Sequence, residues 1–226
     1  MLADLREQVR ATALAMFQAG LVVGTDGNVS AKDPETGYIA ITPSSMPYDQ
    51  ITTDDIVIVD VNQNIIWGTR APSWETPMHT YIHKHRADVC AVMHTHSWYA
   101  TLFAIANRDL PPATMPLAAQ FGGTVRCAPY VRTGSDDMGR INLEYLGTRG
   151  RAVLLGNHGT LCIAPNLKKV LQLSRTLEEG AKMVYQSALL GAPVPLPDPE
   201  IAWLHELVAG FEADEEKAVE TARSHP

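Results

Sequence analysis

Pro72-Ser-Trp-Glu75-Thr-Pro-Met-His79, a polar connection, and then Val89-Cys-Ala-Val-Met-His94-Thr-His96-Ser97 form the stretch that decides how this chain folds. The second half is an apolar run of strand length that closes on two histidines. Side chains alternate faces along a strand, so residues two apart point the same way. His94 and His96 therefore leave one face at the strand's end, with Cα atoms roughly 7 Å apart, close enough to grip a single ion. In the first half, Thr76-Pro77 reads as a helix start with Thr76 as cap and proline in the first turn. Ser73, Trp74 and Glu75 then fall in the loop leading into that helix.

Two histidines do not complete a metal site. A third imidazole is available at His158, in Leu154-Leu-Gly-Asn-His158-Gly-Thr-Leu161, and a carboxylate at Glu75. Three imidazoles and one carboxylate suit zinc or a similar divalent ion. A lone histidine is more often a partly buried residue satisfied by ordinary hydrogen bonds. Position separates these three, because each sits where an apolar run breaks into polar and glycine residues, the usual place for site residues. His79 and His83 are spaced i, i+4 on the expected helix but lack the carboxylate pattern of a helical zinc motif. They are expected on the surface or behind the site, with His85 grouped alongside them.

A chain of 226 residues carries one substantial core, and a single α/β domain over 1–226 is the expectation, with a C-terminal helix and tail from about residue 197. Apolar residues make up 46% and charged residues 19%, the balance of a soluble globular protein. The net charge is −7, without a basic run or a basic patch interleaved with aromatics, which argues against a nucleic-acid partner. An anionic substrate stays open, because only the local field of a pocket matters. Cys90, Cys127 and Cys162 lie in apolar segments without paired spacing, as buried thiols in a reducing compartment would. The N-terminus reads as an amphipathic helix, and no apolar run reaches membrane-spanning length. A cytoplasmic protein is expected.

Leu5, Val9, Ala13, Met16 and Phe17 follow helical spacing, with Gly20 as the stop. Gly24-Thr-Asp-Gly-Asn28-Val-Ser30 is a tight loop, Ile39–Ile41 a short strand, and Thr42-Pro-Ser44-Ser45 a hydroxyl-rich turn. Ile56–Val61 reads as a strand, and Asn62-Gln-Asn64 as a hairpin into Ile65–Trp67. Trp98, Leu102 and Ile105 mark one face of a helix that Pro111-Pro112 ends. Gly122–Pro129 turns into a short strand, Ser135 caps a helix to Leu146, and strands at Ala152–Leu155 and Thr160–Ala164 flank His158. A long helix from Leu167 to Leu190 breaks at Gly191-Ala-Pro-Val-Pro. A final acidic helix from about Ile201 runs into a frayed tail.

Three polar turns, at Gly27-Asn28, Ser44-Ser45 and Ser73, recur at strand ends. Hydroxyls and free backbone N–H groups that converge make an anion cradle without lysine. Together with the four candidate ligands they describe a pocket with a metal at one end and a phosphate at the other.

Gly24-Thr-Asp-Gly-Asn-Val-Ser30, Ile41-Thr-Pro-Ser-Ser-Met-Pro-Tyr48, Pro72-Ser-Trp-Glu-Thr-Pro-Met-His79, His94-Thr-His-Ser97 and Asn157-His-Gly-Thr160 resemble the successive motifs of the class II aldolase/adducin family, in order from about Leu5 to Pro195. The resemblance implies a three-layer α/β/α fold around a largely antiparallel sheet, in a homotetramer with sites at subunit interfaces. It implies zinc ligands at His94, His96 and His158, with manganese or cobalt as other candidates. Glu75 matches a residue that binds metal in the empty site and serves as acid/base with substrate. Asn28, Ser44, Ser45 and Ser73 match phosphate-cradle positions. Met115–Ala119 and Gly122-Gly123 read as interface material.

The implied activity is metal-dependent cleavage of a small ketose phosphate, of the L-fuculose-1-phosphate type, to dihydroxyacetone phosphate and an aldehyde. Metal charge would stabilise the enediolate left by C–C cleavage, and the neighbouring carboxylate would move the proton at carbon. Rival chemistries keep the metal: a sugar-phosphate 4-epimerase, a dehydratase, or a decarboxylase of a small hydroxy or keto acid. A non-catalytic module like the adducin head shares the fold, but the retained histidines and Glu75 argue against it. The chain also departs from the family pattern. Trp74 stands where these aldolases commonly have serine, adding bulk that could floor a different pocket. A tyrosine lent by the neighbouring subunit falls near Pro116, and no tyrosine follows Tyr185 to match the family's C-terminal one.

Overall fold

Short, largely apolar strands, most of them buried at successive positions, build one eight-stranded sheet. The computed structural model describes residues 1–224. In chain order the elements are α1 (Ala3–Gln18), β1 (Asn28–Lys32), β2 (Ile39–Ile41), β3 (Val57–Val59), β4 (Ile65–Trp67), α2 (Thr76–His85), β5 (Ala91–Thr95), α3 (Trp98–Ile105), α4 (Met115–Phe121), β6 (Cys127–Ala128), α5 (Asp136–Leu146), β7 (Ala152–Leu155), β8 (Gly159–Ala164), α6 (Leu167–Ser187) and α7 (Asp198–Ser224). The strands are ordered β4-β3-β2-β1-β5-β8-β7-β6. Named strand pairs are antiparallel, apart from the parallel β6 with β7.

The parity of each residue along its strand assigns it to one of two helical layers. Val29, Ala31, Ala91, Met93, Leu154, Cys162 and Ala164 join one core with Val9, Ala13 and Met16 of α1 and with Val170, Leu173 and Leu177 of α6. Val92, Val153, Leu155, Leu161 and Ile163 join the other, with Met78 and Ile82 of α2 and Met138 of α5. The result is a mixed α/β fold in three layers, as expected. Among the described residues no helix is long and apolar enough to cross a membrane.

Several boundaries and faces differ from the sequence reading. The Gly24–Ser30 segment is a loop only to Gly27, and Asn28–Ser30 already pair in β1. β3 is shorter than the apolar run 56–61, α6 stops at Ser187 rather than Leu190, and α7 begins at Asp198. In α3 the apolar spacing misleads: Trp98 is 70% and Ile105 54% exposed, while Ala100 and Ala104 face the core. Small residues let that helix lie close on the sheet, and α3 ends at Ile105, well before Pro111. The Met115–Ala119 stretch is helix α4, and Ala118 and Ala119 are buried beneath Ile201 and Leu204 of α7 in the same chain. A Cβ at Gly122 would come within 2.8 Å of the His205 ring, so that turn is also packed internally. Of the three free thiols Cys162 is buried, and Cys90 and Cys127 are half-buried. The end of the expected tail, residues 225–226, lies outside the described residues.

Candidate active site

The two histidines of the opening stretch arrive as the alternation requires. His94 shares the parity of Val92, so its side chain enters the layer covered by α2. β5 ends at Thr95, and His96 is the first residue beyond it. Helix α3 begins two residues later, its first turn capped by Glu178 of α6, whose carboxylate accepts from the N–H groups of Tyr99 and Ala100 at 2.9 Å each. That cap pins the strand's exit and, with it, the ring of His96.

His158 comes from the tight β7–β8 connection. Asn157 takes a left-handed conformation (φ 55°), and the turn is tied down where Asn157 N–H donates to Ala104 and Gly156 N–H to Ala128. The rings of His94, His96 and His158 then lie 4.7–4.9 Å apart, centre to centre. One ligand nitrogen from each is within 4.8 Å of the others. Gly159 makes this possible, because a Cβ there would sit 2.5 Å from the Thr95 carbonyl oxygen and 2.8 Å from the His96 ring. Gly27 does the same from the other side: at φ 76°, its missing Cβ would lie 2.8 Å from the His94 carbonyl oxygen.

Glu75 occupies the N-cap position of α2, and Thr76 is the first helical residue rather than the cap. Its buried carboxylate reaches the triangle, with Oε2 3.1 Å from His94 Nε2 and Oε1 3.4 Å from His158 Nε2. Oε2 also accepts from Asn28 Nδ2 at 2.7 Å, whereas Oε1 has no hydrogen-bond partner. A buried acceptor without a donor, facing imidazole nitrogens, calls for a positive charge between them. The donor states agree. His94 Nδ1–H donates to the Thr160 carbonyl at 2.8 Å, which leaves Nε2 as a bare lone pair facing His96 Nε2 at 2.9 Å. Two nitrogens bound to one tetrahedral zinc stand roughly 3.3 Å apart. Asp26 backs His96 from the other side, 3.7 Å from Nδ1, and Tyr48 braces that loop by donating to the carbonyls of Asp26 and Gly27.

Burial, and then the neighbouring His96, push His94 down to about 3. Burial and then His94 lower His158 to about 4. Both rings are therefore neutral at ordinary pH, the form that binds metal. The residues fit a divalent cation.

The hydroxyl-rich turns also meet. Ser44 N–H donates to the Ala71 carbonyl, Ser73 N–H donates to the Thr42 carbonyl, and Pro43 bridges Pro72. These bonds bring Ser44, Ser45 and Ser73 to one edge, with the Ser44 and Ser45 hydroxyls 3.3 Å apart and Ser45 in a left-handed conformation (φ 55°). Asn28 sits apart from this edge in its hydrogen bonding, its side chain engaged by Glu75 and His79. The Trp74 side chain is 75% exposed and lies beside Gly134. His79 and His83 are fully buried behind the site, not on the surface, whereas His85 is exposed and stacks on Tyr81. The sequence reading passed over Ser30, Thr160 and Asp26. The signal was present for Ser30, which is two residues from Asn28 and so on the same face of the strand.

The family model of the class II aldolase and adducin N-terminal domain matches residues 7–185. The chain is similar to 5-deoxy-D-ribulose 1-phosphate aldolase of Bacillus thuringiensis, 37% identical, over 91% of this chain and 96% of that protein. It is also similar to a probable L-ribulose-5-phosphate 4-epimerase of Mycoplasma pneumoniae, 32% identical, over 91% of this chain and 90% of that one. Among solved structures, an L-fuculose 1-phosphate aldolase superposes with a TM-score of 0.87 at 34% identity, over 91% of this chain and 96% of that one. The chain belongs to the class II aldolase and adducin family and, with its aldolase-named relatives, is an aldolase, a carbon–carbon lyase.

Proposed function

We propose that the chain is a divalent-metal-dependent aldolase that cleaves a small ketose phosphate, of the L-fuculose-1-phosphate type, to dihydroxyacetone phosphate and an aldehyde. The observation that carries this reading is the placement of Glu75, whose two oxygens stand 3.1 and 3.4 Å from ligand nitrogens of His94 and His158. His94, His96 and His158 hold the cation, most simply Zn²⁺, with Mn²⁺ and Co²⁺ as candidates from the same donor chemistry. When bound, that cation supplies positive charge beside the ketose carbonyl oxygen, where negative charge develops as the C–C bond breaks.

The chain's own residues do the rest. Ser44, Ser45 and Ser73 receive the phosphate at the edge of the pocket, and Asn28 holds Glu75 toward the reacting carbon. In the cleavage direction the hydroxyl beside the breaking bond releases its proton to solvent as its carbonyl forms, the bonding electrons stay on the dihydroxyacetone phosphate fragment, and Glu75, protonated for this step, delivers a proton to that carbon. In the reverse direction it removes the same proton. We further infer a cytoplasmic homotetramer acting in carbohydrate metabolism. Trp74, Trp98 and Tyr130, each more than 60% exposed, supply apolar surface for subunit contact. Sedimentation giving only monomer at micromolar concentration would overturn the assembly.

The activity is tested by offering a panel of ketose 1-phosphates and following dihydroxyacetone phosphate release before and after chelation. Chelator-sensitive release is expected. A second reading, 4-epimerisation of a pentulose phosphate, is favoured by the Mycoplasma relative. An epimeric product with no triose phosphate would replace the first reading with the second.

A further inference from the structure

Behind the carboxylate runs a buried seam that the metal site itself does not use. Asn28 and Ser30 of β1 point away from the core that takes Val29 and Ala31, toward the layer covered by α2. Glu75, His79 and His83 lie at i, i+4 and i+8, along one side of α2. Two residues of a strand advance roughly 6.8 Å and four of a helix roughly 6 Å, so the two rows mesh tooth by tooth. Asn28 Nδ2 contacts Glu75 Oε2 at 2.7 Å, and His79 Nε2 contacts Asn28 Oδ1 at 2.5 Å. The Ser30 hydroxyl lies 2.7 Å from His79 Nδ1 and 2.9 Å from His83 Nε2. Each of the five residues is 5% exposed or less.

Donor counting gives this chain a single direction. An ionised carboxylate only accepts, so the Asn28 amide turns its NH₂ to Glu75 and its carbonyl to His79. That carbonyl also only accepts, so His79 carries its proton on Nε2. Burial, followed by the neighbouring imidazoles of His83 and His94, holds His79 well below its ordinary pKa and bars a second proton. Its Nδ1 is then bare and accepts from the Ser30 hydroxyl. With that one hydrogen committed, the Ser30 oxygen accepts from His83 Nε2–H, and burial keeps His83 neutral as well. Every shared proton has one address. Without the relay, the nearly isosteric ends of the Asn28 amide could exchange places, setting a carbonyl against the carboxylate.

We propose that His79, fixed in its Nε2–H tautomer by Ser30 and His83, is a positioning residue that keeps the Asn28 NH₂ turned toward Glu75 and so aims the carboxylate at the reacting carbon. This rests on the reading of Glu75 as the proton carrier. The first test needs no substrate. Long-range ¹H–¹⁵N spectra of the ¹⁵N-histidine-labelled, metal-loaded protein should show Nε2–H tautomers for His79 and His83. Ser30→Ala should shift the His79 ring nitrogens as Nδ1 loses its donor. An Nδ1–H tautomer at His79, or ring shifts indifferent to Ser30→Ala, overturns the relay.

The second test compares His79→Leu with His79→Gln at equal metal content. Leucine removes the donor, and turnover should fall about 10- to 100-fold with KM little changed, the scale seen for partners behind a metal site. Glutamine keeps an N–H near the Nε2 position and should recover most of that loss. Equal falls in the two variants would mark His79 as mere packing, and a fall that tracks lost metal would place its role at the cation. If His79→Leu does not fold, Ser30→Ala carries the turnover comparison. Correct tautomers in a protein that releases no triose phosphate would leave the relay standing and overturn only the proposed reaction.

Discussion

The two faces of β1 and β5 are made by alternate residues of the same two stretches of chain, and could hardly differ more. One face presents Val29, Ala31, Ala91 and Met93 to α1 and α6, and among these positions it is wholly apolar. The other presents Asn28 opposite His94 and Ser30 opposite Val92, against Glu75, His79 and His83 of α2. The apolar face gains free energy from each buried methylene. On the polar face each buried amide, hydroxyl or imidazole must recover its lost hydration through a partner, and the net return per bond is only about 1 kcal/mol. One face therefore holds the molecule together, and the other is retained at some cost in stability because it orders a site.

That contrast breaks most sharply at the ligands. A His94→Ala, His96→Ala double variant should purify without metal and without activity while keeping its far-ultraviolet spectrum. Full metal occupancy in that protein would sink the ligand assignment. Glu75→Gln comes next. With three imidazoles still in place it should keep most of its metal yet lose roughly two or more orders of magnitude in turnover, the scale of general acid–base help. Metal content and rate measured on one preparation decide it, and a fully metallated variant with near wild-type turnover rules Glu75 out as the proton carrier.

The apolar face should answer in the opposite sense. Met93→Ala, adjacent to His94 but pointing into the other core, should cost about 2–5 kcal/mol of stability while the metal content of the folded fraction stays unchanged. Equilibrium denaturation paired with metal analysis checks both halves. If Met93→Ala instead strips the metal from folded protein, the two faces are not separable.

The most gradual effect expected is a pH dependence. His79 is held neutral well below its ordinary value, and His83 is pushed down to about 3, in each case chiefly by burial. Unfolded imidazoles protonate near 6.5. Above that value these groups contribute no slope. Below it the unfolded chain binds protons that the folded chain excludes, so stability falls as pH falls from about 6.5 toward 3. The slope approaches about 1.4 kcal/mol per pH unit for each ring. Melting curves of the chelated protein should therefore shift downward between pH 7 and pH 5, and a flat melting temperature over that range would contradict neutral burial.

How much of this was legible beforehand follows from which physical rule governs each part. The period-two alternation of Val92, His94 and His96 is local, and it correctly sent the imidazoles to one side of a strand end. The break at Gly156-Asn-His158-Gly159 marked the third imidazole of the cluster for the same reason, since a tight turn needs those residue types. Helix faces were less legible. Trp98 and Ile105 carried the apolar pattern of α3, yet Ala100 and Ala104 are buried, because close approach to the sheet favours small residues over large ones. Met115–Ala119 reads in the sequence as interface material, and that Ala118 and Ala119 seat α7 follows only from the path of the returning chain.

By itself, then, the sequence determined the strand parities, the turn positions and the set of groups able to bind a cation, since each depends on a few neighbouring residues and their stereochemistry. Only the tertiary structure decided which groups meet. Glu75 and His158 are 83 positions apart in the chain and come within 3.4 Å because β1, β5 and β8 pair side by side under the head of α2. The same pairing turned His79 and His83 from an apparently idle helical pair into the backing of Asn28. Hydrogen-bond direction is a property of a closed set of neighbours, and no local stretch contains that set.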